Sequence, residues 1–493
     1  MNFRNLRYCS ALTLTVLSVL GMMHLPTPVF AQATGSGADG KGNGRIDRTP
    51  TPLSPNSPAP LSPIGPSPSA PTPSRPSQFP PGTYSQTKSA VAESVNGRSR
   101  PEYDASGVEL DRLLPNFNGS DPDHRSALAS FKLFPTINVD TQYDSNIFRS
   151  ENATDDQILV ISPEFQIRSD WANHSLVFSF GADVGRHARN RAEDYEDYRG
   201  SVNGILEVWD SSRVTGGFSL ERGHNQRGEV FDANSPNIAD GVTTLTQAKL
   251  DLLAEHTIGI LSFSAAYQGT ALNFKSTEVV DNEDLDRSEH TVTTRASVAV
   301  TEGSSFFVQP KFNWRVFDLK RDSSGDLQDN NGWEVLAGIR WDASSVTFAE
   351  AGFGYQQQSY DEATFTTIKG PTANVEAVWN ATDLLTATVG LTRTISETAD
   401  ADLSGVLVTT FDGSLDFEYY YNTIISGRFS ASDEDTQGSD KTDTRIEVGA
   451  SVRHLLNEFF FLEFNADYTD LSSTTAGSGF ESFIARFRIG SQI

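Results

Sequence analysis

The chain has 493 residues, one cysteine and a formal net charge of −26. A chain this acidic repels nucleic acid, which argues against that class of partner. Hydrophobic residues make up only 37% and the mean hydropathy is −0.37, so a bundle of membrane-spanning helices is not expected. The length allows two to four soluble domains or one large barrel with appendages.

Residues 1–31 are predicted to form a secretory signal peptide. Two arginines precede the single long apolar run, residues 11–23, and small residues follow it. That run is too short for a membrane-spanning helix, which needs about 20 apolar residues. We expect cleavage after Ala31, with Ala33 as the alternative. Because Cys9 lies within the leader, the mature chain contains no disulfide and no thiol chemistry.

Residues 32–99 are predicted to form a disordered periplasmic linker rich in Pro, Ser and Gly. Thirteen prolines fall between Pro50 and Pro81, and such a segment cannot bury a core. It is either a plain tether or a spacer that reaches toward the cell wall or a partner. Residues 100–130 contain more apolar and aromatic positions, and they are predicted to dock under the remainder of the chain or to plug it.

Residues 131–493 are predicted to form a transmembrane antiparallel up-and-down β-barrel. Along residues 333–341 aromatic and aliphatic side chains occupy every second position, and residues 349–356 repeat this after a short turn. Period-two alternation indicates strands with one apolar and one polar face. About 18 such segments of 9–13 residues follow one another. The connections between them are alternately short and long, which is typical of an outer-membrane barrel.

An even number of strands places both termini on the same side of the membrane. With short periplasmic turns and long external loops, that side is the periplasm of a Gram-negative bacterium. The expected partners are outer-membrane lipid and lipopolysaccharide, the barrel-assembly machinery and periplasmic polysaccharide-export components. Aromatic residues such as Trp341, Trp379 and Tyr355 lie beside the connections, where two interfacial girdles belong.

Three sequence pieces occur in order before and within the first strand. They are residues 100–107, residues 131–135, and the run Tyr143, Asp144, Ser145, Asn146, Ile147, Phe148. With these pieces the chain, from about Arg100 to its end, resembles the outer-membrane beta-barrel porin family often associated with bacterial exopolysaccharide systems. The resemblance implies a pore for export or diffusion.

Charges of both signs occupy the inward phase of the predicted strands. Burying them unpaired would be prohibitive, so they need water or partners. They form either a structural ladder of ion pairs or the wall of a hydrophilic conduit, and at this strand number the lumen is wide enough to hold water. The predicted pore-lining residues are Glu164, Arg168, Arg213, Arg295, Lys311, Arg315, Glu334, Arg340, Glu350, Glu418, Glu447, Glu463, Arg486 and Arg488.

No cofactor, metal site or catalytic residue is predicted. Acidic runs at residues 193–197, 281–286 and 433–435 are interpreted as solvated loops, with shared calcium or magnesium binding as the alternative. Asp144-Ser145-Asn146 is interpreted as an Asx turn. No nucleophile, base and acid can be assembled from the histidine positions, so we expect no enzyme activity.

The sequence therefore predicts an outer-membrane pore for hydrophilic solutes, with polysaccharide or exopolysaccharide export as its specific form. The alternatives are a general diffusion porin and a non-conducting structural or adhesive surface barrel.

Overall fold

The computed structural model describes residues 107–113, 130–209, 211–225, 227–228, 241–276, 282–301, 303–321, 325–344, 346–382, 384–396 and 404–493. The predicted signal peptide, the linker and most of residues 100–130 lie outside these ranges. The described residues belong to one compact unit, residues 60–493. No helix among them has the length and apolar character to cross a membrane.

Eighteen antiparallel strands form a closed barrel, preceded by one short strand. The fold predicted from the sequence is thus confirmed. A short strand, β1 (Val108–Glu109), and one helical turn, α1 (Leu110–Leu113), precede the barrel. Two 3-10 turns, Arg191–Glu193 and Glu283–Leu285, lie in connections. The barrel strands are β2 (Phe131–Asp144), β3 (Asp156–Ser169), β4 (His174–His187), β5 (Tyr195–Trp209), β6 (Ser212–His224), β7 (Thr244–Ile258), β8 (Leu261–Phe274), β9 (Arg287–Thr301), β10 (Ser304–Phe317), β11 (Asn330–Ser344), β12 (Thr347–Tyr360), β13 (Ile368–Thr382), β14 (Leu385–Ser396), β15 (Gly405–Tyr420), β16 (Thr423–Gln437), β17 (Thr442–Leu455), β18 (Phe460–Ser473) and β19 (Phe480–Gln492).

Each strand pairs with its sequence neighbours, and β19 closes the barrel on β2 with Arg488 opposite Asp140. Closure leaves no free sheet edge, which is how strands satisfy their backbone groups in lipid. The barrel strands range from 12 residues in β14 to 16 residues in β15, so the predicted strand length of about 9–13 residues was too short. The missed residues lie mainly where strands continue beyond the alternating apolar segment.

Connections of two different lengths define the two ends of the barrel. The end with the shorter connections, such as the β13–β14 connection, is called here the short-turn end, and the other is called the long-loop end. The run Asp433-Glu434-Asp435 was expected in a loop, but it lies within β16. Glu434 lies opposite Asp443, and their charges are offset by Arg445, 3.6 Å from Glu434, and Lys441, 3.2 Å from Asp443.

The segment before the barrel pairs with the edge of its first strand. Val108 lies opposite Leu133 and Glu109 opposite Lys132, whereas β19 pairs with β2 only as far as Thr136. β1 therefore occupies the stretch of the β2 edge that the last strand leaves open. Gly107 adopts a φ of +68°, and its position lies against the Phe134 ring.

Candidate functional site: the lumen wall

Side chains that face lipid and side chains that face the lumen are distinguished by their phase along each strand. Large apolar side chains at one phase are exposed on the outer surface, for example Trp341, Phe353 and Phe411. Successive side chains of a strand point to opposite faces, so the other phase lines the interior. All fourteen residues predicted from the sequence to line the pore have this inward phase.

A row of alternating charges crosses the seam where the barrel closes. Arg453, Glu463, Arg488 and Asp140 lie directly opposite one another on β17, β18, β19 and β2. Arg453 Nε lies 2.5 Å from Glu463, Arg488 binds both oxygens of Asp140 at 2.6 and 2.7 Å, and Arg488 Nη1 lies 3.9 Å from Glu463. The Arg488 and Asp140 side chains are buried. We call these four residues the seam ladder.

Arginines also lie flat over aromatic rings that fill glycine positions. The Phe307 ring occupies the space where side chains at Gly338 and Gly352 would stand. Arg295 stacks on this ring at 3.6 Å and binds both oxygens of Glu350 at 2.8 and 3.0 Å, three strands away. The wall there is a layer of glycine, ring and ion pair, and it is stabilised by packing as well as by charge.

The same layering occurs on the other side of the barrel. The Phe461 ring lies against Gly490, and Arg453 covers it at 4.5 Å. Aromatic rings that face inward are thereby covered by the guanidinium groups of arginines. This layer of glycine, ring and arginine could have been predicted from an inward Phe beside inward glycines on the neighbouring strands.

A second row of inward residues carries charges of one sign. Glu376, Gly390, Asp412, Ser430 and Glu447 lie directly opposite one another on β13 to β17. Glu376 and Asp412 are exposed to solvent although they point into the barrel. Water therefore reaches the middle of this wall.

The sequence run that carried the family resemblance is a structural clamp at the long-loop end of the seam. Asn146 N donates to Asp144 Oδ1 at 2.9 Å, which confirms the Asx turn. Arg149 binds both Asp144 oxygens at 2.9 Å, and Ser482 Oγ donates to Asp144 at 3.2 Å. Asn146 Nδ2 donates to the Glu481 carbonyl at 2.9 Å. These contacts join the first strand to the last.

Apolar residues inside the long-loop end were not predicted from the sequence. Ile147 and Phe148 fold inward and form a buried cluster with Ile158 and Val160. Leu159 and Ile161 are exposed on the outer surface, so Ile158 and Val160, which alternate with them, face inward. A continuous apolar run carries no period-two signal, so only the paired register reveals which residues face the interior.

Two described residues of the β6–β7 connection, Arg227 and Gly228, lie inside the long-loop end. Arg445 on β17 donates to the Gly228 carbonyl at 3.0 Å, and a side chain at Gly228 would meet Arg149 and Phe480. β17 lies seven strands from β6 around the barrel, so this contact spans the mouth. Arg227 anchors the connection through a buried bidentate pair with Glu193 at 2.9 and 3.1 Å.

Among the described residues, no cluster of three or more His, Cys, Asp or Glu side chains is suited to a metal ion. Ser212 Oγ lies 2.6 Å from His256 Nδ1, but Thr423 and His454 form the same cross-strand pair at 2.9 Å beside another short turn. This repeated contact is therefore a feature of the turns.

A closed antiparallel barrel with an apolar outer surface and a charged, solvated inner wall defines the porin class. A profile of the family described as Putative beta-barrel porin 2 matches residues 127–490, and the chain belongs to that family. No curated protein matches the chain.

Three solved structures from Pseudomonas aeruginosa show a weak similarity to this chain. OpdL is 9% identical, with 74% of this chain and 99% of that chain covered and a TM-score of 0.39. The outer-membrane protein opdK is 11% identical, with 73% and 99% covered and a TM-score of 0.39. OccK5 (OpdH) is 9% identical, with 73% and 98% covered and a TM-score of 0.39.

Proposed function

We propose that the protein is an outer-membrane pore for hydrophilic solutes, and that the solute is a polysaccharide exported through the lumen. The pore function is supported by the exposure of Glu376 and Asp412, which lie in mid-strand on the inner face of a closed barrel. A dry interior would leave these charges buried without partners, at a cost of several kcal/mol each. A water-filled lumen removes that cost.

The long-loop end limits what passes. Gly228 contacts Arg445 of β17 across the mouth, and the Ile147 and Phe148 side chains fill part of the interior beside the seam. The membership of the Putative beta-barrel porin 2 family supports passive passage without energy input. No catalytic role is proposed, and the proposed orientation places both termini in the periplasm.

Single-channel recording in a planar bilayer tests the pore. The full mature chain is expected to conduct ions in discrete steps, and a neutral polysaccharide added to one side is expected to block the current. Insertion is verified independently by heat-modifiable mobility of the barrel on gels. A well-inserted protein that never conducts would overturn the proposal in favour of a structural or adhesive surface barrel.

The Arg227–Glu193 pair offers a second test in the same recording. Glu193→Gln leaves the buried Arg227 guanidinium without its carboxylate and is expected to loosen the contact between Gly228 and Arg445, so the conductance should rise and fluctuate more. Conduction that is indifferent to every polysaccharide, in the wild type and in Glu193→Gln, would favour a general diffusion porin.

A further inference from the structure

Five consecutive strands present an alternation of carboxylates and small residues along one inward row. The carboxylates are Glu376 on β13, Asp412 on β15 and Glu447 on β17, and Gly390 and Ser430 stand between them. We call these three carboxylates the acidic track. The small residues leave Asp412 uncovered on both sides, and they separate it from Glu376 and Glu447.

The basic residues nearest the acidic track are held by other carboxylates. Arg428 binds Asp467, and Arg445 lies 3.6 Å from Glu434. Arg340, opposite Glu350 at the start of the same row, lies 3.8 Å from Asp342.

The three members of the track form no ion pair within the described part of the chain. Glu447 Oε1 is enclosed and has no hydrogen-bond partner there. In the seam ladder, by contrast, every charge faces an opposite one. The track therefore carries its negative charge without a direct ion pair among the described residues.

The fold keeps the space around the track open. A Cβ atom at Gly390 would stand 2.6 Å from Asp412 Oδ1, so the Asp412 carboxylate lies over the glycine and toward Glu376. Any side chain at position 390 would displace it. The strand positions of Gly390 and Asp412 thus direct a carboxylate along the wall rather than into a partner.

Paired residues lie on a line perpendicular to the strands, and the strands are tilted relative to the barrel axis. The three carboxylates of the track therefore lie at successive heights in the pore. Glu376 lies nearer the short-turn end of β13, and Glu447 lies nearer the long-loop end of β17. With strands about 4.8 Å apart, successive members are separated by about 10 Å. This is comparable to the Debye length at 0.1 M salt, so their fields overlap.

We propose that the acidic track makes the pore prefer cations, and that its cargo is a neutral or amine-bearing glycan rather than a polyuronate. This rests on the proposed pore function. A polyanion in the lumen would meet uncompensated negative charge at successive heights, whereas a neutral chain is indifferent to it and an amine-bearing chain is attracted. The track acts through its field and needs no bound ion.

Two inward arginines lie outside the track and are held by amides. Arg168 donates to Gln166 on β3, and Arg486 donates to Gln142 on β2. Both arginines lie on strands outside β13 to β17. Along β13 to β17 the track shares the inner face with Arg428, Arg445 and Arg453, each of which lies beside another carboxylate.

Reversal potentials in a KCl gradient test the sign of this field. The wild type is expected to be cation-selective, and Glu376→Gln/Asp412→Asn/Glu447→Gln is expected to lower the K⁺/Cl⁻ permeability ratio at least threefold. An unchanged ratio, or an anion-selective wild type, would overturn the inference while leaving the pore intact. A wild type that does not conduct would overturn the pore itself.

A charge-matched control separates the wall from the total charge of the protein. Asp361→Asn/Asp433→Asn/Glu458→Gln removes three exposed carboxylates that lie in connections or on the outer phase. Its permeability ratio is expected to stay within experimental error of the wild type. A fall as large as in the track variant would show that selectivity does not come from the lumen wall.

Defined oligosaccharides test the cargo class. Maltohexaose and a chitosan hexamer are expected to block the wild-type current, whereas a galacturonate hexamer is expected to block it weakly. In the track variant the block by chitosan is expected to weaken at least tenfold and the block by galacturonate to strengthen. If galacturonate blocks the wild type best, the cargo assignment is wrong.

Discussion

The seam ladder and the acidic track are two rows of the same inner wall, and they treat charge in opposite ways. In the ladder each carboxylate faces an arginine, and the Arg488–Asp140 pair at its end is buried. In the track carboxylates alternate with small residues, and Glu376 and Asp412 remain in water. The difference shows that inward charge in one barrel can serve closure at one place and permeation at another.

Removing one partner from the ladder is expected to have the largest effect. Arg488→Ala leaves Asp140 buried without its bidentate partner, which typically costs about 3–5 kcal/mol. Urea unfolding of the protein in lipid vesicles measures the loss. Arg486→Ala, which removes only contacts to Gln142, is the matched control and should cost much less. Equal losses would mean that the ladder has no special role in closure.

Filling a gap in the track is expected to have an intermediate effect. Gly390→Val places atoms where the Asp412 carboxylate stands, so overpacking should cost about 1–3 kcal/mol. Gly427→Val on β16 is the control, because nothing lies within 4 Å of its Cβ position. The cost at position 390 should shrink when Asp412→Ala is added. If the double variant is no more stable than Gly390→Val, the clash does not involve Asp412.

A carboxylate outside the spanning strands extends the comparison to a buried acid without a cation. Asp286, between the 3-10 turn Glu283–Leu285 and β9, accepts the Phe274 N–H at 2.6 Å. Burial, together with Asp318 and Glu283, raises the pKa of Asp286 to about 6.

The direction of the pH effect follows from that shift. The folded chain keeps a proton that the unfolded chain loses near pH 4. The stability from Asp286 is therefore complete below about pH 4 and is lost as the pH rises through about 6. After correction for the intrinsic exchange rate, the Phe274 amide should exchange several-fold faster at pH 7.5 than at pH 5. In Asp286→Asn this pH difference, beyond the intrinsic exchange rate, should vanish, and its persistence would assign the effect to another group.

The smallest effect is expected from neutralising a track carboxylate that is already solvated. Glu376→Gln should change the unfolding free energy by less than about 0.5 kcal/mol, because the side chain is exposed and forms no ion pair among the described residues. Urea unfolding under the conditions used for Arg488→Ala provides the measurement. A loss of several kcal/mol would mean that the track is structural, like the ladder.

Much of the fold was predictable because side-chain alternation is local. The number of strands, the alternation of short and long connections and the inward phase of residues such as Arg340 and Glu447 all follow from period two along the chain. The buried cluster of Ile147, Phe148, Ile158 and Val160 was missed, since apolar residues at consecutive positions have no readable phase. The clamp made by Asp144 and Asn146 was visible as a motif, but its partners near residue 482 were not.

The amino-acid sequence by itself determined that this chain alternates between lipid-facing and water-facing side chains over eighteen strands. Only the tertiary structure decided which inward charges meet. Cross-strand register joins Asp140 to Arg488, far apart along the chain, and sets Glu376, Asp412 and Glu447 on alternate strands without a cation. The reason is physical: alternation is a property of one strand, whereas neutralisation of a charge depends on the stagger with which neighbouring strands pair and the barrel closes.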